Sequence, residues 1–359
     1  MVVGIVRSTL ENVAESMSGL IRLIGYEPTQ PAFFAKPNMP DSGPQGQGLY
    51  TDPAVVDAFL ALYPGKEVVI GEGCIVGRDA GLAFQHNGYG EVAEARDAQL
   101  VNLDDVPRFE TEWLHGRLRL PVYLRTHEYV NVAKMKTHIQ TGVTLGMKNQ
   151  KGLLAPADKR RFHRVGLDQC IQALAEVAQP ALTIVDGIIA LESDGAWRFG
   201  RPVEMNVLVA GTDLLEVDTV CRNLMGFGPK HAPHIPPVSR VETAGLGVEQ
   251  ARRRFAFEYK GYFVYKNVYE HVNDSCSGWN WTLYRAFRAI KRSVWRKIKF
   301  QYRGVWRRLD IVMGHAVALP ERHGKVVCLG DCAADFAQEH DLPVARGCPP
   351  RSTDLLRLV

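Results

Sequence analysis

Leu167-Asp-Gln-Cys-Ile-Gln-Ala-Leu-Ala-Glu-Val-Ala178, Ala181-Leu-Thr-Ile-Val-Asp-Gly187, Val207-Leu-Val-Ala-Gly-Thr-Asp213 and Leu214-Leu-Glu-Val-Asp-Thr-Val-Cys-Arg-Asn-Leu-Met225 decide the fold class. The first and last of these repeat apolar residues at three- and four-residue steps and read as helices, the last closed by Gly226. The middle two are short apolar runs that end on an acid and read as buried strands. Working back toward the N-terminus, the alternation continues. Pro31-Ala-Phe-Phe-Ala-Lys36 is a strand with a polar exit at Pro37-Asn38, and Glu67-Val-Val-Ile70 is a strand with a glycine-rich exit. Thr51-Asp52-Pro53 opens a helix, with Asp52 as N-cap and Pro53 at the first helical position. Further strands are expected at 99–103, 118–124 and 130–136, and a helix from about Leu10 to Gly25. Strands alternating with helices predict an α/β fold, a mostly parallel sheet covered by helices on both faces. Chemistry in such sheets gathers beyond the carboxyl ends of the strands, where Lys36, Asn38, Lys134 to His138, Asp186 and Asp213 are expected.

The composition is ordinary for a globular chain of 359 residues, with 46% hydrophobic and 23% charged residues, and it suits two domains. We place them at 1–254, an α/β domain, and 255–359, where aromatics, a basic run and cysteines take over. No run approaches the roughly 20 apolar residues of a transmembrane span. The N-terminus has no signal-peptide layout, and seven scattered cysteines make no secreted disulfide framework. The expected location is cytoplasmic. Ten Lys/Arg and no acid lie between Arg285 and Arg308; against a total of +4 they leave the rest of the chain at −6. Their spacing makes 284–308 a basic amphipathic helix. It either packs on its own domain with a solvated face, or docks an acidic redox partner protein or a membrane surface. No nucleic-acid motif accompanies it. Neither a dinucleotide fingerprint nor a P-loop is present.

One polar run carries candidate chemistry. Residues 131–152 hold four lysines, one histidine, three threonines and three glycines. Read as a loop, they suit a small anionic substrate, carboxylate or phosphate. His138, Lys136 and Lys148 are the candidate proton-transfer groups. Lys36, Asn38, Lys134, Thr141, Thr144, Asn149, Lys151 and Asp186 are the candidate substrate contacts. The alternative is a surface loop with solvated lysines. The stretch 43–48, Gly-Pro-Gln-Gly-Gln-Gly, is a flexible loop beside Lys36 that could close as a lid. Cys74, Cys170 and Cys221 sit in apolar context and read as core thiols.

The C-terminal cysteines form the second candidate centre. Cys276, Cys328, Cys332 and Cys348 each stand beside Gly, Ser, Pro or a tight turn, and thiolates on tight backbone hold soft metals. A 4Fe-4S cluster, a zinc site, and buried thiols without metal are the readings open to these residues.

Two resemblances bear on both centres. Lys36-Pro-Asn38, Thr51-Asp-Pro53, Lys134-Met-Lys136-Thr-His138, Thr141-Gly-Val-Thr144, Lys148-Asn149-Gln-Lys151-Gly152, Asp186-Gly187 and the span from Asp213 to Asp218 resemble the domain-of-unknown-function family 362. Its members are often joined to iron–sulfur modules, and no single reaction transfers from it. Cys276-Ser-Gly-Trp279, Gly330-Asp-Cys332 and Gly347-Cys348-Pro-Pro-Arg351 resemble the cluster site of hydrogenase and complex I small subunits. The resemblance implies three ligands, Cys276, Cys332 and Cys348. Trp279 stands where that pattern has its second cysteine, so Cys328 is the expected recruited fourth ligand, with an open iron site as the alternative. The resulting expectation is an iron–sulfur oxidoreductase acting on a small anionic substrate. An electron-transfer protein docking an acidic partner, and a non-redox racemase or isomerase, are the alternatives.

Overall fold

The computed structural model describes residues 2–43, 46–138, 141–193, 200–256, 268–273, 278–293, 308–314, 317–319, 321–347 and 350–359. The chain divides into two compact units, one of residues 1–159 and 168–258, the other of 160–167 and 259–359.

The first unit is built on a nine-stranded mixed sheet, mostly parallel. Its strands are β1 (Val2–Arg7), β2 (Ala32–Lys36), β3 (Glu67–Glu72) and β4 (Ala98–Asn102), then, beyond a separate hairpin of β5 (Arg108–Trp113) and β6 (Gly116–Pro121), β7 (Glu128–His138), β8 (Gly142–Thr144), β9 (Leu182–Glu192), β10 (Arg201–Gly211) and β11 (Glu242–Gly245). They run in the order β11-β1-β10-β9-β7-β2-β3-β4, with β8 folded back on the end of β7. The five strands β4, β3, β2, β7 and β9 are parallel neighbours. β10 is antiparallel to both β9 and β1, which the alternation of strands and helices did not predict.

Local signals explain the elements that border the site. Helix α1 (Val13–Ile24) buries Val13, Met17, Leu20 and Ile21 on one stripe and stops at Gly25, which takes the left-handed conformation. Helix α2 (Pro53–Leu60) starts as expected, with the Asp52 carboxylate accepting from the Ala54 N–H at 3.0 Å and Pro53 in the first turn. The core joins Phe33, Val56, Phe59, Ile70, Val130, Val132, Ile184 and Leu208.

Two expectations need correcting. Asp186 does not end a strand; β9 continues six residues past it, and a register irregularity lies there, with Lys134 opposite Asp186 but Lys136 opposite Leu191. The lysine-rich run, expected as strand only to Lys136 and as loop beyond it, stays strand as far as His138. All eleven residues of β7 are buried, and the run continues into β8 and a one-turn helix α3 (Gly146–Asn149). Asp213 caps the helix that follows it. Helices α4 (Leu167–Val177) and α5 (Leu214–Leu224) complete the elements used below, and Asp213 accepts from the Glu216 N–H at the start of α5.

The second unit has its own sheet of four parallel strands, β12 (Val268–Asn273), β13 (Leu309–Gly314), β14 (Lys325–Leu329) and β15 (Val344–Ala345). Its helices include α6 (Gly278–Arg292), α7 (Ala334–Glu339) and α8 (Ser352–Leu358). The basic run is helical as far as Arg292; residues 294–307 lie outside the described part. No described helix is long and apolar enough to cross a membrane.

Candidate functional site

Side chains alternate across a strand, so Lys134, Lys136 and His138 share one face of β7. Burying three potentially cationic groups in one row is costly unless each finds a partner. Lys134 does: its Nζ lies 2.7 Å from Asp186 Oδ2, with both side chains essentially inaccessible. Asp186 also accepts from the Asp52 and Ile188 N–H groups. On β2, Lys36 pairs with Glu72 at 2.9 Å and donates to Asn149 Oδ1 and the Pro37 carbonyl. Burial pushes the Lys36 ammonium down, and Glu72 opposes that. Lys159 reaches Asp104 and the Cys74 carbonyl.

Asn149 ties this network together. Its Oδ1 accepts from Lys36 and from Asn38 Nδ2, and its Nδ2 donates to Asn131 Oδ1 at 2.8 Å. Gly152 packs beside it, where a Cβ would force the Glu72 carboxylate and the Lys36 ammonium to shift. Lys36, Asn38 and Asn149 therefore direct their hydrogen bonds into the protein and fix the carboxyl end of β2.

Lys136 differs from the other buried lysines. Its Nζ donates to the Leu49 carbonyl at 2.7 Å and makes no ion pair with a described residue. Burial, with Lys134 next in weight, pushes its ammonium down to about 7. The Leu49 loop rests on β9: Gly48 is left-handed, and a Cβ there would lie 2.5 Å from the Ala190 carbonyl oxygen. Under this loop opens a cavity of ≈ 300 Å³ lined by Leu10, Gln47, Gly48, Asp52, Lys134, Asp186, Ile188 and Ile189.

The remaining candidates gather at the far end of β7. His138 is buried, and its Nδ1 accepts from the Thr141 N–H. Burial first, then Lys148, Lys151, Lys136 and His234, hold the imidazole well below its ordinary value, so it is neutral at pH 7. This is an electropositive corner around a neutral base. The Thr141 hydroxyl donates to the Val143 carbonyl, whereas the buried Thr144 hydroxyl has no partner among the described residues. Residues 139–140 lie outside the described part, as does the side chain of His163.

Sequence reasoning missed several members. Glu72 and Asp104, the partners of the lysines, lie at or beyond the ends of β3 and β4, and no local pattern marks a carboxylate that will meet a lysine from another strand. Asp218, quoted above only as the end of a motif, has a definite role: its oxygens accept from the Gly146 and Met147 N–H groups and anchor α3. His234, which its sequence setting between Pro233 and Pro236 marks as a metal ligand or a structural loop residue, is fully buried with its Nδ1 3.4 Å from Asp168.

In the second unit, Cys276 and Cys348 fall outside the described residues, but their flanks do not. Asp331 N–H donates to the Gly347 carbonyl at 3.2 Å, and Gly347 N–H returns a bond to Asp331 Oδ1 at 2.9 Å. Thr282 Oγ1, in the second turn of α6, donates to the Pro350 carbonyl at 2.6 Å. Gly330 and Gly347 both have positive φ, and a Cβ on Gly330 would stand 3.2 Å from Cys332 Sγ. The backbone at Cys332, the residues beside Cys348 and the helix that follows Cys276 thus converge. Cys328 is 0% exposed in a cluster with Val312, Val326, Ala333 and Ala337, and burial pushes its thiol up to about 11. That is the setting of a core thiol. Among the described residues no group of three or more His, Cys, Asp or Glu side chains stands ready for a metal ion.

Comparison with known proteins gives two findings. The family described as Domain of unknown function (DUF362) matches residues 34–223, which include the end of β2, all of β7, β9 and β10, and every lysine pair described above. A curated protein named thylakoid-associated protein, from Synechocystis sp., is 28% identical over 243 residues, covering 65% of this chain and 74% of its own.

Proposed function

The chain belongs to the DUF362 family, and from that premise we propose that it is an iron–sulfur oxidoreductase with a small-molecule site in its first unit and a 4Fe-4S cluster in its second. The convergence of three cysteine-bearing segments carries the proposal. Hydrogen bonds join Asp331 to Gly347 and Thr282 to Pro350, so the chain beside Cys332 and Cys348 and the helix that follows Cys276 are drawn together. The glycines at 330 and 347 leave the space a cluster ligand turn needs. Cys276, Cys332 and Cys348 would be the thiolates. Cys328, walled in by aliphatic side chains, is left to the core, and the model with one iron open to a non-protein ligand is preferred. When bound, such a cluster supplies electrons one at a time or polarises a group on its open iron.

The first unit contributes proton chemistry. A neutral His138 flanked by Lys148 and Lys151 can take a proton from an anionic substrate held by the two ammonium groups. Lys134 and Lys36 keep that end of the sheet rigid through their carboxylate partners. A cytoplasmic address belongs to the same proposal.

Anaerobic purification with iron and sulfide analysis, and EPR before and after reduction, test it. Wild type and Cys328→Ser are expected to hold the same iron, and Cys332→Ser to lose it. Full iron and an unaltered spectrum in Cys332→Ser overturn the proposal.

A second reading is favoured by the relative's printed name. The basic segment 284–308 would hold the protein against an anionic surface, a membrane or an acidic redox partner, whether or not it turns over a substrate.

A further inference from the structure

The cavity beneath the Leu49 loop has a charge balance that the lysine-rich sequence conceals. Three of its lining residues are ionisable: Lys134, Asp186 and Asp52. Lys134 is neutralised by Asp186 at 2.7 Å. Asp186 has both oxygens engaged, Oδ2 by Lys134 and the Asp52 N–H, Oδ1 by the Ile188 N–H. Asp52 has not: Oδ1 accepts from Ala54 at the start of α2, and Oδ2 has no hydrogen bond from any described residue. The wall therefore carries one excess negative charge with one open carboxylate oxygen. Leu10, Ile188 and Ile189 complete the lining with apolar side chains.

We infer that this cavity is a binding site for a small organic ammonium compound, its charged nitrogen on Asp52 Oδ2 and a short aliphatic body against Ile188 and Ile189. Its volume stands at the lower end of ligand pockets, roughly 300 Å³ and upward. A carboxylate ligand would have to approach an unneutralised Asp52, which costs it affinity. A divalent metal suits the site poorly, because the Lys134 ammonium already occupies one of the two carboxylates. The site is separate from the electropositive corner at His138 and does not depend on a cluster in the second unit.

Titration calorimetry on the full-length protein tests it, using isobutylammonium, isobutanol, isobutyrate and magnesium chloride at constant ionic strength. Isobutylammonium is expected to bind best, and magnesium and isobutyrate to give no heat of binding. Asp52→Asn should weaken isobutylammonium by about tenfold or more, the usual order for a lost charge partner. Asn caps a helix as well as Asp does, so this variant keeps the start of α2 and should show an unchanged circular dichroism spectrum. Asp97→Asn, an exposed carboxylate elsewhere, should bind as wild type does. The inference is overturned if isobutylammonium does not bind, if isobutyrate binds as well or better, or if a folded Asp52→Asn binds isobutylammonium unchanged. Iron content measured on the same samples keeps this outcome apart from the fate of the cluster.

Discussion

Lys136 is the residue whose burial has the clearest measurable consequence. Its amine titrates near 7 in the folded protein against an ordinary 10.5, because burial and the Lys134 charge disfavour the ammonium. Below about pH 7 both folded and unfolded chains bind the proton, and the burial penalty is present in full. Between that value and 10.5 the unfolded chain holds a proton the folded protein has shed, so stability rises with pH. Thermal melts from pH 7 to 9 should show this rise in wild type and a flatter profile in Lys136→Met, which keeps the aliphatic volume and lacks the titrating group. Parallel profiles would mean that Lys136 titrates normally. Asn149 offers a test that pH does not touch. Asn149→Ala would strand Asn38 Nδ2 and Asn131 Oδ1 and deprive Lys36 of an acceptor. Each buried polar group left unpaired costs about 1–3 kcal/mol, so a loss of about 3 kcal/mol or more is expected from urea unfolding. A loss below about 1 kcal/mol would show that the network relaxes or admits water.

At the scale of elements, the loop that carries Gly48 and Leu49 depends on a backbone approach that only glycine allows. Gly48→Ala would put a Cβ 2.5 Å from the Ala190 oxygen at a left-handed φ of 75°. The left-handed penalty alone is about 1–2 kcal/mol, and the clash adds to it. The loop should lift from β9, seen as faster amide exchange at Leu49 and Tyr50, with isobutylammonium binding weakened in step. Unchanged exchange would show that the loop moves as one piece. Much of this architecture was legible in the sequence. Phe33-Phe34, Val68-Val69-Ile70 and Val130 to Val132 are apolar or β-branched runs bounded by Pro, Gly or polar turns, and each is a strand. Asp52-Pro53 opens a helix by chemistry that is entirely local. What was not legible depends on partners distant in sequence. The strand at 130–136 was expected, but its complete burial was not, because lysines are seldom buried. It is a central strand because Asp186 from β9 neutralises one lysine and a carbonyl from the Leu49 loop receives the other. The antiparallel insertion of β10 beside β9 was hidden for a similar reason, since a buried strand has the same composition in either direction. The acids that meet Lys36 and Lys134, Glu72 and Asp186, were hidden on the same ground: a count of lysines does not reveal them.

At the scale of the whole molecule, charge is distributed against the location of the proposed ligands. The run between Arg285 and Arg308 contributes ten positive charges, while the remainder of the chain is net −6. In α6 the apolar residues Leu283, Ala286, Phe287 and Ile290 are buried, while Arg285 and Arg292 are exposed, so the described part of the helix already separates an inward stripe from an outward cationic side. A cationic segment on a chain that is otherwise acidic orients the protein toward an anionic surface, because the acidic remainder is repelled as the segment is drawn in. Each Lys or Arg near an anionic bilayer is worth about 1 kcal/mol at physiological ionic strength. Even a few of the ten in contact would give measurable association. Co-sedimentation with vesicles containing phosphatidylserine should therefore retain the protein at low salt and release it steeply as salt is raised, with little retention on phosphatidylcholine alone. Replacing Arg285, Arg292, Arg296 and Lys297 by Gln should abolish retention and leave iron content as in wild type, because none of these residues is a proposed cluster ligand. Retention that is insensitive to salt, or that survives the fourfold substitution, would place the contact on another surface. Failure of wild type to bind at low salt would leave an acidic protein as the partner that the basic segment fits.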